Sequence, residues 1–186
     1  MSKIDENIGR VLFSEEQIRN RVLEIGKRIS EDYKDKEPLM IGILKGSAVF
    51  MSDLLRAIDI PCRIAFLTAR SYGLNTTSSG KVNMDEDIER ALGTKVEGEH
   101  IIIVEDILDT ALTLSTVCEK IRELKPASLK VCTLMDKQVQ RSIDFKADYK
   151  CFDVENEFVV GYGVDYAENY RNLPYIGVLK PEIYSK

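Results

Sequence analysis

The run Ile101-Ile102-Ile103-Val104 is the feature that most limits how this chain can fold. An uninterrupted series of β-branched apolar residues is typical of a strand covered on both faces, as strands are in parallel sheets. A helical pattern follows at about residues 112–125, and Pro126 marks its end. We therefore predict a buried strand followed by a helix. The buried face of that helix should comprise Leu114, Val117, Ile121 and Leu124.

Strands and helices alternate along most of the chain. Ser14 and Gln17 form a capping box, which predicts a helix over residues 14–32. No linker or internal repeat interrupts the pattern, and 186 residues suit one compact domain spanning residues 1–186. The alternation predicts an α/β fold with a mostly parallel twisted sheet flanked by helices. The other predicted elements are strands at 39–44, 62–68, 129–135, 149–154 and 158–164, and a helical segment marked by Val49, Leu54, Leu55 and Ile58.

The charge and hydropathy of the chain exclude some partners. A net charge of −5 and an isoelectric point near 5.1 argue against binding nucleic acid by phosphate neutralisation. No stretch approaches the roughly 20 apolar residues that cross a bilayer, so we expect no membrane partner. The N-terminus has no apolar signal-peptide core, and Tyr184-Ser185-Lys186 is not a peroxisomal signal. These features favour the cytoplasm.

The single histidine and the four cysteines are interpreted as structural. Ser-His or Cys-His catalysis would depend on His100 alone, which stands just before the apolar run. The cysteines lie far apart without a CxxC or Cys/His pairing, so they do not supply the clustered ligands of structural zinc. They are Cys62, Cys118, Cys132 and Cys151.

Polar pairs follow the last apolar residue of three predicted strands. In open α/β sheets, ligands bind outside the carboxyl ends of the strands. Three polar pairs at one edge of the sheet therefore predict a binding site there. The pairs are Lys45-Gly46, Glu105-Asp106 and Asp136-Lys137.

The segment from Glu105 to Thr113 has the most informative pattern at this edge. The turn that begins at Asp109 can aim backbone N–H groups and two threonine hydroxyls at a phosphate, and the helix dipole adds to the attraction. Glu105 and Asp106 would accept hydrogen bonds from ribose hydroxyls or from metal-bound water. The alternative is that both are solvated loop acids and that Asp109 only caps the helix. Receiver domains of the phospho-acceptor type also have acid-rich strand ends, so spacing alone leaves both interpretations open.

This segment resembles the phosphoribosyl-pyrophosphate signature of purine phosphoribosyltransferases of type I, and the wider sequence is similar to their hypoxanthine-guanine branch. The similarity extends from about residue 39 to 180. Residues 42–47 resemble the family's pyrophosphate loop, and residues 71–73 resemble its closing loop, which we expect to be mobile over about 69–82. Residues 134–137 resemble the segment that reads the 6-oxo group of the purine. Residues 157–166 and 170–171 resemble the purine lid with its metal and pyrophosphate contacts.

The resemblance implies a type I phosphoribosyltransferase fold with a small hood formed by the terminal segments. It also implies purine salvage, in which phosphoribosyl pyrophosphate gives its 5-phosphoribosyl group to hypoxanthine or guanine, yielding IMP or GMP and pyrophosphate. Mg²⁺ is the implied cofactor, and a homodimer or homotetramer is the implied assembly. One alternative is a nucleotide-sensing, RNA-binding regulator built on the same fold. Another is a phospho-acceptor signalling domain that uses Asp106 and Lys137.

The resemblance further implies how the purine base is bound. Asp109 is the expected catalytic residue and takes the N7 proton of the purine. Lys137 donates to the O6 atom, where an amino group would place two donors face to face. Phe158 stacks on the base, and the backbone of Val159 reads its edge.

The phosphate and metal contacts follow from the same resemblance. Asp165, together with Glu105 and Asp106, is expected to hold the metal ion, because Mg²⁺ prefers oxygen ligands. Arg171 clasps the pyrophosphate through its planar guanidinium. The other expected substrate contacts are Lys45, Gly46, Ser71, Tyr72, Thr110, Ala111, Leu112 and Thr113.

One position departs from the family pattern, since most members have glycine where this chain has Ala111. If the turn requires a positive φ angle, the alanine carries strain of about 1 kcal/mol. If φ is negative, the alanine is without consequence. In the family, the peptide that joins Lys45 to Gly46 is often cis, and the sequence leaves the geometry of this peptide open.

Overall fold

The computed structural model describes residues 5–68, 88–137 and 143–185. Its main sheet has five strands in the order β3-β2-β4-β5-β6, and all neighbouring strands are parallel. The predicted mostly parallel α/β sheet is therefore confirmed. The strands are β2 (Leu39–Leu44), β3 (Arg63–Thr68), β4 (His100–Leu108), β5 (Ser128–Lys137) and β6 (Tyr149–Val154).

Strand β4 lies in the middle of the sheet, and its β-branched run explains that position. Ile102 and Val104 pack into one hydrophobic cluster with the helices α1 (Glu15–Asp32) and α2 (Ala48–Ala57). Ile101 and Ile103 pack into a second cluster on the opposite face, together with α3 (Ile88–Leu92) and α4 (Leu112–Glu123). All four side chains are fully buried. Because successive strand residues face opposite ways, a strand covered on both sides requires this uninterrupted apolar run.

The predicted helices form close to their expected bounds. Helix α1 begins after Ser14, whose hydroxyl accepts from the Gln17 backbone while the Gln17 side chain accepts from the Ser14 backbone. Helix α4 ends at Glu123, two residues before the predicted end, because Lys125 already has a positive φ of 57°. The apolar face predicted for α4 is confirmed, with three buried residues and Leu124 partly buried against them. The three are Leu114, Val117 and Ile121.

A second, three-stranded antiparallel sheet is built from the two ends of the chain, in the order β1-β8-β7. This arrangement matches the predicted hood of terminal segments. Two of its strands, β1 (Ile8–Phe13) and β8 (Ile176–Leu179), were not predicted, nor were the short helices α3 and α5 (Pro181–Tyr184). The strand predicted at 158–164 is reduced to β7 (Val159–Val160). It stops there because Gly161, Tyr162 and Gly163 all have positive φ angles.

The histidine and the cysteines have structural surroundings, as predicted. Nδ1 of His100 lies 2.8 Å from the hydroxyl of Ser128. All four cysteines are free, and three are buried. Burial raises the pKa of Cys118 to about 11 and that of Cys151 to about 12, so both thiols stay protonated at neutral pH. Separately, no helix within the described part of the chain has both the length and the apolar character needed to cross a bilayer.

Candidate active site

The polar pairs predicted at the strand ends lie along the carboxyl edge of the main sheet. Lys45 directly follows β2, as expected. The expectation that the other two pairs follow their strands was wrong, because Glu105 and Asp106 lie within β4, and Asp136 and Lys137 are the last two residues of β5. Both strands extend beyond the apolar residues from which they were predicted, because β4 and β5 remain hydrogen-bonded to each other as far as Leu108 and Asp136.

A cavity of about 270 Å³ opens at this edge, above the turn between β4 and α4. Several predicted substrate contacts line it, which brings the pyrophosphate loop, the acidic strand and the turn around one space. These residues are Gly46, Glu105, Asp109, Thr110, Ala111 and Thr113.

The turn between β4 and α4 has an unusual backbone conformation. Ala111 is the N-cap residue of α4, with φ of 64° and ψ of 0°, and no side chain caps the helix. Asp109 precedes the cap by two residues, so the interpretation of Asp109 as a simple helix cap is wrong. Backbone N–H groups in the first turn of an α-helix have no partner within the helix, and here Thr110, Ala111 and Thr113 at that end line the cavity.

Asp109 and Lys137 form the central pair of the site. The carboxylate of Asp109 lies 3.7 Å from Nζ of Lys137, and only 16% of the lysine side chain is exposed. Asp109 directly follows β4 and Lys137 is the last residue of β5, so the parallel pairing of the two strands brings them together. The pair sets a hydrogen-bond acceptor beside a charged donor, which suits a ligand with a donor and an acceptor on one edge.

Glu105 and Asp106 form a pair of carboxyl groups at the end of β4. Burial, followed by the charge of Asp106, raises the pKa of Glu105 well above its usual value. Burial also raises the pKa of Asp106, although hydrogen bonding and the positive charge of Arg171 act in the opposite direction. Asp106 is buried and Glu105 partly buried, and two adjacent carboxyl groups in such surroundings are unfavourable when both are charged. A cation or several hydroxyl donors would relieve this.

The pyrophosphate loop is held tightly against this acidic pair. A Cβ atom on Gly46 would lie 1.7 Å from Oδ2 of Asp106, so only glycine allows the loop to approach so closely. A Cβ atom on Gly163 would lie 2.2 Å from the Gly46 carbonyl oxygen, so the two loops are also in close contact. The cis peptide lies between Leu44 and Lys45, one bond earlier than the Lys45–Gly46 peptide that is often cis in the family.

The cations predicted to bind pyrophosphate are paired with acids in this structure. Nζ of Lys45 lies 2.7 Å from the carboxylate of Glu168. Arg171 lies 2.8 Å from Oδ1 of Asp165 and donates to the Gly163 carbonyl oxygen at 2.8 Å. Glu168 was missed at the sequence level because nothing in its local pattern shows that it folds back to Lys45.

The aromatic part of the predicted base site lies at the hood. Phe158 is 37% exposed, which argues against an ordinary core aromatic, and its ring stacks on Tyr184 at 4.6 Å and meets Tyr166 edge-on at 5.4 Å. Val159 is buried in β7, where it pairs with Val178 of β8. Tyr184 was also missed, since its place beside Phe158 depends on how the C-terminal segment packs.

Some predicted residues are not brought together. Ser71 and Tyr72 lie outside the described residues. Within the described ranges, no three His, Cys, Asp or Glu side chains form a group that could hold a metal ion by themselves. Glu105, Asp106 and Asp165 therefore do not make a complete protein cage. Arg171 lines a different, larger cavity of about 570 Å³ between α1, α2 and residues 162–174.

Comparisons with known proteins agree with the fold. A family model described as phosphoribosyl transferase domain matches residues 13–167. The chain is 48% identical to the hypoxanthine-guanine phosphoribosyltransferase of Streptococcus agalactiae serotype V, over 98% of this chain and 99% of that protein. It is 49% identical to the enzyme of the same name from Bacillus subtilis, over 96% and 97% of the two chains.

Solved structures also resemble this chain over nearly its whole length. A hypoxanthine phosphoribosyltransferase from Staphylococcus aureus superposes with a TM-score of 0.90 at 44% identity, covering 100% of this chain and 98% of that one. The five-stranded parallel sheet, with a cavity at the carboxyl edge of its strands, defines an α/β protein whose site lies where such folds bind ligands. The chain belongs to the phosphoribosyl transferase domain family.

The positive φ of Ala111 leads to a prediction about stability. The strain of about 1 kcal/mol is already present in the ligand-free fold, so glycine should relieve it. Glycine also removes a buried methyl group, which contributes about 0.8 kcal/mol. We therefore expect Ala111→Gly to change the free energy of unfolding by less than about 0.5 kcal/mol, and to leave phosphoribosyl pyrophosphate affinity unchanged. Urea unfolding of the ligand-free protein measures the change in the free energy of unfolding.

Ala65 in β3 provides the matched control. It is 7% exposed, against 5% for Ala111, and its φ is not positive. Ala65→Gly loses a buried methyl group without relieving strain, so we expect a loss of about 1 kcal/mol or more. Equal losses in the two variants would show that the alanine in the turn is unstrained.

Proposed function

We propose that this chain acts in purine salvage and transfers the 5-phosphoribosyl group of phosphoribosyl pyrophosphate to a 6-oxopurine, hypoxanthine or guanine. The products are IMP or GMP and pyrophosphate. The observation that carries the proposal is the pairing of Asp109 with Lys137 beside a turn that lines the cavity. The hypoxanthine-guanine phosphoribosyltransferases named above support it through identity over nearly the whole chain.

The Asp109–Lys137 pair suits one edge of a 6-oxopurine. The N7 and O6 atoms of such a base lie on the same edge, where they can be bound side by side. Asp109 would accept the N7 proton, and Lys137 would donate to O6. Phe158 would stack on the base from the hood, and the Val159 backbone would read the opposite edge.

The turn at the start of α4 would bind the 5-phosphate. Thr110, Ala111, Leu112 and Thr113 supply consecutive backbone N–H groups there, and the positive end of the helix dipole points the same way. α4 has 12 residues, long enough for the dipole to contribute. This arrangement gives an acidic protein a local site for an anion.

The acidic end of β4 and the two loops beside it would bind the ribose and the pyrophosphate. Glu105 and Asp106 would accept from the vicinal hydroxyls of the ribose. Lys45, the Gly46 backbone and Arg171 would bind the pyrophosphate. Ser71 and Tyr72, in the expected closing loop, would exclude water from the reacting centre. Their role remains a prediction.

Mg²⁺ is part of this proposal, and the residues fit it. Carboxylates of Glu105, Asp106 and Asp165 are hard oxygen donors, and their incomplete cage suits an ion that also takes phosphate oxygens and water as ligands. When bound, Mg²⁺ would neutralise negative charge on the pyrophosphate. Both oxygens of Asp165 are engaged here, by Arg171 and by the Glu168 backbone, so these contacts would rearrange.

The reaction is a displacement at the anomeric carbon of the ribose. The purine N9 forms a bond to that carbon as the bond to the pyrophosphate oxygen breaks. The N7 proton passes to the carboxylate of Asp109, so the base does not accumulate positive charge. Lys45 and Arg171 stabilise the charge that develops on the leaving pyrophosphate.

Incubating the protein with hypoxanthine, phosphoribosyl pyrophosphate and Mg²⁺ tests the proposal. We expect IMP and pyrophosphate to form in equal amounts. A regulator built on the same fold would bind nucleotide without turnover. The relatives named above are phosphoribosyltransferases and do not support this alternative. A phospho-acceptor domain would take up phosphate on Asp106 and form no IMP.

We also propose that the protein assembles as a homodimer or homotetramer. Its location in the cytoplasm remains a prediction.

A further inference from the structure

Glu168 lies between the two cations to which the proposed function assigns the pyrophosphate. Its Oε2 atom is 2.7 Å from Nζ of Lys45, and its Oε1 atom is 3.6 Å from Nη2 of Arg171. One carboxylate thus contacts both cations, with one oxygen toward each. Lys45 and Arg171 come from loops 126 residues apart in sequence, so this contact exists only because the two loops meet.

The backbone holds Glu168 in this place. Ala167 and Glu168 both have positive φ angles, of 50° and 64°, which turn the chain back toward Lys45. The Glu168 N–H donates to Oδ2 of Asp165 at 2.9 Å, and Tyr166 and Asn169 form a bridge across the turn. A non-glycine residue in the left-handed region is uncommon and usually has a structural or functional cause.

The contact is also one that a stronger ligand could replace. The side chains of Lys45 and Glu168 are 61% and 57% exposed, and exposed ion pairs contribute little to stability. Arg171 is less exposed, at 25%, and among the described residues its buried Nε has no hydrogen-bond partner.

We propose that Glu168 is a built-in competitor of the pyrophosphate group. Its carboxylate holds Lys45 and Arg171 in place in the ligand-free protein, and the pyrophosphate displaces it from both. Glu168 thus acts as a positioning residue: it keeps the two cations ordered in the ligand-free protein, and it shortens the residence of the leaving pyrophosphate. This inference rests on the proposed function.

Glu168→Gln tests the proposal, because glutamine keeps the size of the side chain and removes its charge. We expect the KM for phosphoribosyl pyrophosphate and the Kd for inorganic pyrophosphate with Mg²⁺ to fall by about 2- to 5-fold. kcat should stay the same or fall, and thermal stability should change little. Steady-state kinetics and isothermal titration with each anion give these values.

Glu123→Gln is the matched control. Glu123 pairs with Lys120 at 3.1 Å, is 64% exposed and lies at the C-terminal end of α4. The substitution therefore removes the same charge at a position away from the site. Its KM should match that of the wild type. If wild type and control form IMP while Glu168→Gln leaves both constants unchanged or raises them, the inference is overturned. If the wild type forms no IMP, the proposed function itself fails.

Discussion

Asp109→Asn is expected to lower kcat for IMP formation by about 100- to 10,000-fold, the usual contribution of a positioned acid/base group. Asparagine has the same shape and can still contact Lys137, but it cannot take a proton from N7. Binding of phosphoribosyl pyrophosphate should change little, because the turn backbone and the loop cations supply those contacts. Steady-state kinetics at saturating concentrations of both substrates measure kcat directly.

The control for this variant is Asp144→Asn. Asp144 is 90% exposed and pairs loosely with Lys146 at 3.9 Å, so it tests the loss of one surface charge. Its kcat should equal that of the wild type. Near-normal turnover in Asp109→Asn would remove Asp109 from the chemistry and leave it as a binding contact at most.

Lys137→Met should lower kcat/KM for hypoxanthine by about 10- to 150-fold. A hydrogen bond to a charged group typically contributes about 1.5–3 kcal/mol, and Lys137 is largely buried, so water replaces it poorly. Discrimination against adenine should weaken as well, since the charged donor no longer opposes the 6-amino group. Parallel assays with hypoxanthine and adenine measure both effects.

Lys146→Met serves as the control here, because that lysine is 86% exposed. Lys146→Met should leave kcat/KM for hypoxanthine and the activity toward adenine unchanged. A Lys137→Met enzyme that keeps full activity toward hypoxanthine and still rejects adenine would mean that other groups read the 6-position.

Much of the fold follows from local patterns in the sequence. The run at 101–104 predicts a central strand because only a strand covered on both faces has no polar residue over four positions. Ser14 and Gln17 predict the start of α1 because both halves of a capping box lie within one turn. Strand β1 gives no such signal, since three of its six residues are exposed and its partner β8 lies at the other end of the chain.

The site was predictable in its residue types but not in its contacts. The proximity of Asp109 to Lys137 follows from parallel strands that end at one edge. The ion pair between Lys45 and Glu168 does not, because it joins loops whose approach depends on Gly46 and Gly163. The φ angle of Ala111 was equally open, since alanine occurs far more often at negative φ.

A base-competition assay tests the central claim most directly. The wild-type protein is mixed with equal amounts of hypoxanthine, guanine and adenine, together with phosphoribosyl pyrophosphate and Mg²⁺, and all nucleotides are separated and measured. We expect IMP and GMP, one pyrophosphate for each nucleotide formed, and little AMP, because Lys137 faces the 6-position. AMP formed as fast as IMP, or no nucleotide at all, would contradict the proposal that this chain is a 6-oxopurine phosphoribosyltransferase.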